Sequence, residues 1–288
     1  MSFLAVGVRV LNAGIMVLVP LLGALAWIKR TKTNWRLFGI GVVVFIASQV
    51  LHIPFNIFGL SSFLERVGLD TSTGAANLVL ISLALGLSAG LFEETARYLA
   101  YRYWLKDERP CREGVMLGLG HGGVESIIVG VLAFYALAQA FVLHGENLGD
   151  YVSLDQIGVA QAQLAAYWNM PWHTVLLGAV ERVAALCFHV GASVIVLQAL
   201  KRKNLAWLGM AILWHALLDA IAVFGVQTWG IYATEACVVA FGGLSLWFAF
   251  LLRDEPDEEI SPAPLSVPEI SLVDFEFKPE ELDDSRYR

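Results

Sequence analysis

Charged side chains are scarce in this chain. Asp, Glu, Lys and Arg make up 16% of its 288 residues, whereas 57% of the residues are hydrophobic. Soluble domains carry about 25% charged residues, so this composition excludes an ordinary soluble protein. The mean hydropathy of +0.65 indicates a membrane protein instead.

Basic residues are too few to suggest a nucleic-acid partner. Residues 1–252 hold 15 of the 19 basic and 14 of the 26 acidic residues, so this part is nearly neutral. The formal net charge of −7 comes from residues 253–288, which are acidic and contain several prolines. We expect this segment to be a disordered cytoplasmic tail behind a transmembrane domain at 1–252.

Cysteine pairs and zinc signatures are missing as well. The three cysteines, Cys111, Cys187 and Cys237, are widely spaced, and the sequence has neither a CxxC nor an HExxH motif. This pattern excludes a disulfide framework, a zinc ribbon and a zincin-like site.

Long apolar runs are what the chain has in abundance. A transmembrane helix needs about 20 apolar residues. The sequence offers seven such runs, at roughly 3–28, 37–60, 76–104, 113–143, 173–200, 206–226 and 230–252. We therefore predict an all-α, polytopic membrane protein with about seven transmembrane helices, the first of them retained and not cleaved as a signal peptide. A short surface helix is expected within 144–172.

The links between these runs predict an orientation in the lipid bilayer. Lys and Arg cluster after the first, third and fifth runs, whereas the link at 61–75 has one cation and the link at 144–172 has none. The positive-inside rule then places the N-terminus outside and the C-terminus in the cytoplasm. We expect an integral protein of a bacterial or archaeal cytoplasmic membrane.

Four of the apolar runs contain ionisable residues at a similar depth. Glu94, His121, His189 and His215 lie 9–12 residues from the nearest cation on the predicted cytoplasmic side. A helix rises about 1.5 Å per residue, so these four side chains are expected in one layer. A charge at the bilayer centre costs about 2.5–3.5 kcal/mol, which makes such residues functional candidates.

Further acids and a cation accompany this layer. Glu93 precedes Glu94, and Arg97 follows within one helical turn of both. Glu125 and Asp219 each follow a histidine of the layer by four residues, on the same helical face. The candidate site residues are therefore Glu93, Glu94, Arg97, His121, Glu125, His189, His215 and Asp219.

Water activation is the chemistry that such a layer favours. One carboxylate can take a proton from water while Arg97 keeps the other ionised. The histidines can share that water, donate to a developing oxyanion or bind a metal ion such as Zn²⁺. His121, His189 and His215 are the candidate metal ligands, and a site without metal remains an alternative.

Structural roles are the competing interpretation of these polar residues. The acid pair with Arg97 could be a buried ion pair, and a single histidine could serve packing alone. Glu181 and Arg182 are expected to form an interhelical pair. Arg9 is expected to reach outward to the membrane surface. Three other histidines are expected at the outer interface, namely His52, His144 and His173.

The motifs and their order resemble the YhfC family of intramembrane proteases. Residues 93–97 match EExxR, residues 121–125 read HGGVE, and residues 215–219 read HALLD, with His189 between the last two. The family belongs to the group that holds the type II CAAX prenyl endopeptidases (the CPBP or ABI proteins), PrsW and the Aph subunit of γ-secretase. The resemblance covers about 76–226.

The resemblance implies roles for individual residues. Glu93 would be the base that activates water, His121 would assist it, and His215 with Asp219 would polarise the substrate or stabilise an oxyanion. The prenyl endopeptidases often have Asn where Asp219 stands, which leaves a metal-bound arrangement open. The implied substrate is a membrane-embedded protein or a lipidated peptide.

Two other functions fit the same residues. A membrane scaffold or partner-binding subunit, as the Aph resemblance allows, would use the polar layer to fix helix packing. A haem or metal redox protein would use two of the buried histidines as axial ligands.

Overall fold

The computed structural model describes residues 2–69, 74–107 and 110–254. The acidic tail predicted at 253–288 lies almost entirely outside these residues. Within them the chain forms nine α-helices and no strand: α1 Phe3–Thr31, α2 Trp35–Pro54, α3 Ser61–Arg66, α4 Ala75–Tyr103, α5 Cys111–Val142, α6 Ile157–Asn169, α7 Trp172–Lys201, α8 Ala206–Thr228 and α9 Ile231–Leu251. The all-α prediction is confirmed.

Seven helical segments of the described chain are long and apolar enough to cross a membrane. They are α1, the continuous segment from α2 to α3, and α4, α5, α7, α8 and α9. This agrees with the seven predicted spans and shows an integral membrane protein. The orientation of the two termini stays a prediction.

The second span is longer than its apolar run suggested. Pro54 lacks a backbone N–H and therefore interrupts the helical hydrogen-bond ladder at this point. The chain continues through a π-helical turn at Phe55–Leu60 into α3, so the helical segment reaches Arg66. Single π-helical turns within helices often lie at functional sites.

Helix α7 lies at the centre of the bundle. It packs against α1, α4, α5, α8 and α9. Each span contains a most apolar stretch. In α7, 83% of the residues in this stretch are buried, whereas the share is 22–39% in the other six segments. The five helices that contact α7 therefore bury most of its apolar stretch.

Glycines let the site-bearing helices approach each other closely. A Cβ on Gly86 or Gly90 of α4 would lie only 2.2 or 2.5 Å from a backbone oxygen of α8. A Cβ on Gly118 of α5 would lie 2.7 Å from the Cα of Val190 on α7. These patterns mark close helix packing, as small residues four apart do in membrane helices.

Helix α6 is the short helix expected in the 144–172 connection. It is held by Arg9 of α1, whose guanidinium donates to the carbonyl oxygen of Tyr167 and lies 4.4 Å from the Tyr167 ring centroid. Arg9 is buried, so the prediction that it reaches outward to the membrane surface is wrong. The rings of Tyr167 and Trp168 on α6 lie against the Arg9 guanidinium and shield its charge.

Candidate active site

Four helices bring the candidate residues of the sequence into one polar network. Helix α4 supplies the acid pair and Arg97, and α5, α7 and α8 each supply a histidine and its neighbours. Glu94, Arg97 and His121 are completely buried. Since buried charges are tolerated only when they are paired, the partners of each side chain determine what the site can do.

Glu94 is the fully buried member of the acid pair. Its Oε1 accepts from the Arg97 guanidinium and lies 2.6 Å from His215 Nδ1. An ionised carboxylate can only accept hydrogen bonds, so His215 must carry its proton on Nδ1. In the neutral ring, Nε2 of His215 then has a lone pair that can bind a metal ion or accept a proton.

Glu93 lies where the other polar groups converge. Its Oε2 is 3.0 Å from His121 Nε2, 3.9 Å from His215 Nε2 and 4.0 Å from Arg97 Nη2. Its Oε1 accepts a hydrogen bond of 2.9 Å from Gln49 Nε2. Glu93 is therefore surrounded by donors and cations, as a metal ligand or a proton-accepting carboxylate would be.

His189 joins the acid pair to the next layer of charge. Its Nδ1 is 2.7 Å from Arg97 Nη2, which can only donate, so Nδ1 accepts this hydrogen bond. Its Nε2 is 2.8 Å from Glu125 Oε2 and donates to it. Both nitrogens of His189 thus have partners, and a metal ion would have to replace one of these contacts.

Three buried residues could hold a metal ion together. One ligand atom from each of Glu93, His189 and His215 lies within 4.8 Å of the others. This group differs from the three-histidine set expected from the sequence, because Glu93 takes the place of His121. His121 instead contacts Glu93, with its Nε2 3.0 Å from Glu93 Oε2, and donates to it when the carboxylate is ionised.

A small polar cavity of about 90 Å³ adjoins the metal-ligand group. Glu93, His189, His215 and Asp219 all line it, and Asp219 Oδ2 lies 3.7 Å from His215 Nε2. A water molecule occupies about 30 Å³ in the liquid, so the cavity has room for water beside the candidate ligands. The Asp219 side chain is 37% exposed.

Arg182, which also lines the cavity, connects two acids. Its guanidinium donates to Glu125 Oε1 at 2.6 Å and also to Glu181. The expected interhelical role therefore holds for Arg182 with Glu125, which joins α7 to α5. Glu181 is its sequence neighbour on the same helix. Arg182 and Glu125 extend the polar network beyond His189.

Sequence reasoning missed a second polar chain, on α2 and α4. Gln49, His52 and Ser88 form it together with Asn56 from the π-helical turn. His52, which was expected at the outer interface, is buried, with 9% of the residue exposed, and both of its ring nitrogens have hydrogen-bond partners. The i,i+4 spacing of His52 and Asn56 was the available sequence signal.

The other two histidines expected at an interface lie apart from the site. His144 is exposed and its ring packs edge-on against Trp168, 5.9 Å between centroids. His173 is exposed and lies 2.8 Å from the Tyr232 hydroxyl. Neither contacts the residues around Glu93, so we assign them no part in the chemistry.

The sequence matches one protein family and a bacterial membrane protein. Residues 15–241 match the family described as YhfC intramembrane metalloprotease. The membrane protein YhfC of Bacillus subtilis (strain 168), described as uncharacterized, is 30% identical over 220 residues. That alignment covers 74% of this chain and 82% of the relative. No solved structure matches the chain. The family match spans all four helices that build the candidate site, and the chain belongs to the YhfC intramembrane metalloprotease family.

Proposed function

We propose that the protein is a metal-dependent intramembrane endopeptidase that hydrolyses a peptide bond of a membrane-embedded or lipidated substrate. The observation that carries this proposal is the buried group of Glu93, His189 and His215, whose ligand atoms lie within 4.8 Å of one another. A scaffold would gain little from this arrangement, because buried ion pairs are weak contributors to stability.

The donor set fits Zn²⁺. Two histidines and one glutamate are the protein ligands of many catalytic zinc sites, which keep a further position for water or substrate. Ligating histidines usually pair their second nitrogen with a carboxylate, which orients the ring. His215 has Glu94 in that position, and His189 has Glu125. Bound zinc would supply Lewis acidity that polarises the substrate carbonyl and makes water a stronger acid.

Asp219 is the residue that we assign to accept the proton of the attacking water. It lines the cavity beside His215 and is more exposed than Glu93, whose two oxygens already have donors. In peptide hydrolysis the water oxygen bonds to the carbonyl carbon and the C–N bond then breaks. Asp219 then donates the proton that it took from water to the leaving amine.

An apolar groove supports a substrate from the membrane. The groove has a volume of about 510 Å³ and lies between α2 and α4, on the outer side of the helix that carries the acid pair. Its lining includes Leu51, Leu91, Phe92 and Leu99, with few polar atoms. An apolar peptide segment or a lipid chain could occupy it close to Glu93.

The test is a comparison of new protein N-termini in membranes that contain the wild type or a Glu93→Gln/Glu94→Gln variant. We expect termini that appear with the wild type only. Glu65→Gln is the matched control, because Glu65 is exposed on α3 and remote from the site. Identical termini for the wild type and the folded double variant would contradict proteolysis and favour a scaffold.

A further inference from the structure

We infer that Gln49 is a positioning residue for Glu93, and that His52, Asn56 and Ser88 hold Gln49 in place. The inference rests on the proposed metal-dependent function and deepens it. Gln49 lies on α2, outside the four helices that carry the sequence motifs, and it contacts the candidate metal ligand directly.

The directions of the hydrogen bonds follow from Glu93 outward. An ionised carboxylate accepts only, so the Gln49 amide must present its NH₂ group to Glu93 Oε1, at 2.9 Å. Its carbonyl Oε1 then faces His52 Nδ1 at 3.3 Å and can only accept. His52 therefore carries its proton on Nδ1 and donates it to Gln49.

The far side of His52 completes the chain. With Nδ1 protonated, the Nε2 of neutral His52 must accept, and two polar side chains lie within hydrogen-bond distance of it. The Ser88 hydroxyl lies at 2.8 Å and the Asn56 amide at 2.9 Å. The single hydroxyl proton of Ser88 is donated to Asn56 Oδ1 at 2.7 Å, so the Asn56 amide is the donor to His52. The donors of Asn56, His52 and Gln49 are thus directed toward Glu93, and Ser88 holds the Asn56 amide in place.

The local backbone explains why Asn56 is available. Asn56 lies in the π-helical turn that follows Pro54, and its side chain meets Ser88 on α4. Ser88 is buried, and so is His52. The chain is therefore fixed at both ends by helices, and Gln49 has little freedom to leave Glu93.

The two carboxylate oxygens of Glu93 therefore have different partners. Gln49 occupies Oε1, so Oε2 is the oxygen that faces His215 and the cavity. A ligating carboxylate that is hydrogen-bonded in this way keeps one orientation, and loss of such a partner typically weakens metal binding by 10–100-fold.

The experiment measures Zn²⁺ affinity by chelator competition, on purified protein in lipid nanodiscs. We expect Gln49→Leu to bind Zn²⁺ roughly 10–100-fold more weakly than the wild type. His52→Leu should show a smaller loss, and His52→Asn should restore part of it because the asparagine amide can still donate. Gln139→Leu is the matched control, since Gln139 is exposed on α5 and bonds only Tyr135.

The outcomes separate this inference from the proposed function. Unchanged Zn²⁺ affinity of a folded Gln49→Leu variant would overturn the positioning role while the metal site stands. A folded wild type that binds no Zn²⁺ would overturn both. A loss in Gln139→Leu equal to that in Gln49→Leu would show a general effect on the bundle and would also overturn the inference.

Discussion

The imidazole of His215 lies between the two adjacent glutamates of α4. Its Nδ1 is 2.6 Å from Glu94 Oε1, and its Nε2 is 3.9 Å from Glu93 Oε2. Glu94 therefore orients the ring, and Glu93 faces the nitrogen that remains reactive. The carboxylates of Glu93 and Glu94 are chemically alike, but their different partners suit them to different roles.

Replacement of Glu93 tests whether it is a metal ligand. We expect Glu93→Gln to lose both proteolysis and at least tenfold in Zn²⁺ affinity, because an amide oxygen is a poor substitute for a carboxylate ligand. Zinc content by mass spectrometry and new N-termini in membranes check the two effects. Loss of proteolysis with full zinc content would assign Glu93 as the base instead.

Replacement of Glu94 tests the orienting role. Glu94→Gln removes the charge that fixes the proton on His215 Nδ1, while it keeps the size of the side chain. We expect Zn²⁺ affinity to fall by about 10–100-fold, as for other partners of ligating histidines. The same chelator competition measures it, with Glu65→Gln as control. An unchanged affinity would show that Arg97 and packing alone orient His215.

Close packing of α4 on α8 should be sensitive to one added methyl group. A Cβ on Gly86 would lie 2.2 Å from the Ala216 carbonyl oxygen, so the helices would have to separate. We expect Gly86→Ala to lower the free energy of unfolding by about 1–3 kcal/mol, measured by denaturation in detergent. Gly209→Ala on α8 meets nothing within 4 Å and serves as control. Equal stability of the two variants would contradict this contact.

The contact of Arg9 with α6 should protect the connection before that helix. Arg9→Met removes the hydrogen bond to Tyr167 and the cation–π contacts with its ring and that of Trp168. Contacts of this kind contribute on the order of 1–2 kcal/mol, so we expect roughly tenfold faster proteolytic cleavage within 144–156. Arg66→Met on exposed α3 is the control. Equal cleavage rates would show that Arg9 does not hold α6.

The predicted orientation can be checked with single cysteines in a cysteine-free variant. We expect Ser153→Cys to react with a membrane-impermeant thiol reagent added to intact cells. Arg30→Cys, in the cation-rich link after α1, should react only after the membrane is opened. The reverse pattern would invert the topology derived from the charge distribution.

Charge was the feature that made much of the site predictable from sequence. Glutamate, arginine and histidine inside apolar helices are costly, so their presence is informative wherever they occur. Counting residues from the cation-rich links then placed Glu94 and three histidines in one layer. The geometry brings these residues together, although their catalytic roles remain predictions.

The rest of the network could not be found in this way. Gln49 is neutral and Ser88 is small, so neither stands out in an apolar helix. His52 was assigned to the interface because it lies near the end of its apolar run, but the π-helical turn after Pro54 prolongs the helix past it. His52 is buried because α4 lies beside it. The position of a residue along its apolar run does not reveal which helix is its neighbour.

The central position of α7 has a consequence for how a substrate could arrive. The five helices that pack on α7 bury most of its apolar stretch. The acid pair lies on one of these helices, α4, and Glu93 has a ligand atom within 4.8 Å of one on His189 of α7. Under the proposed function, a peptide that leaves the lipid would reach the cavity by separating helices that pack on α7, and the energy of that separation would decide which membrane segments are cleaved.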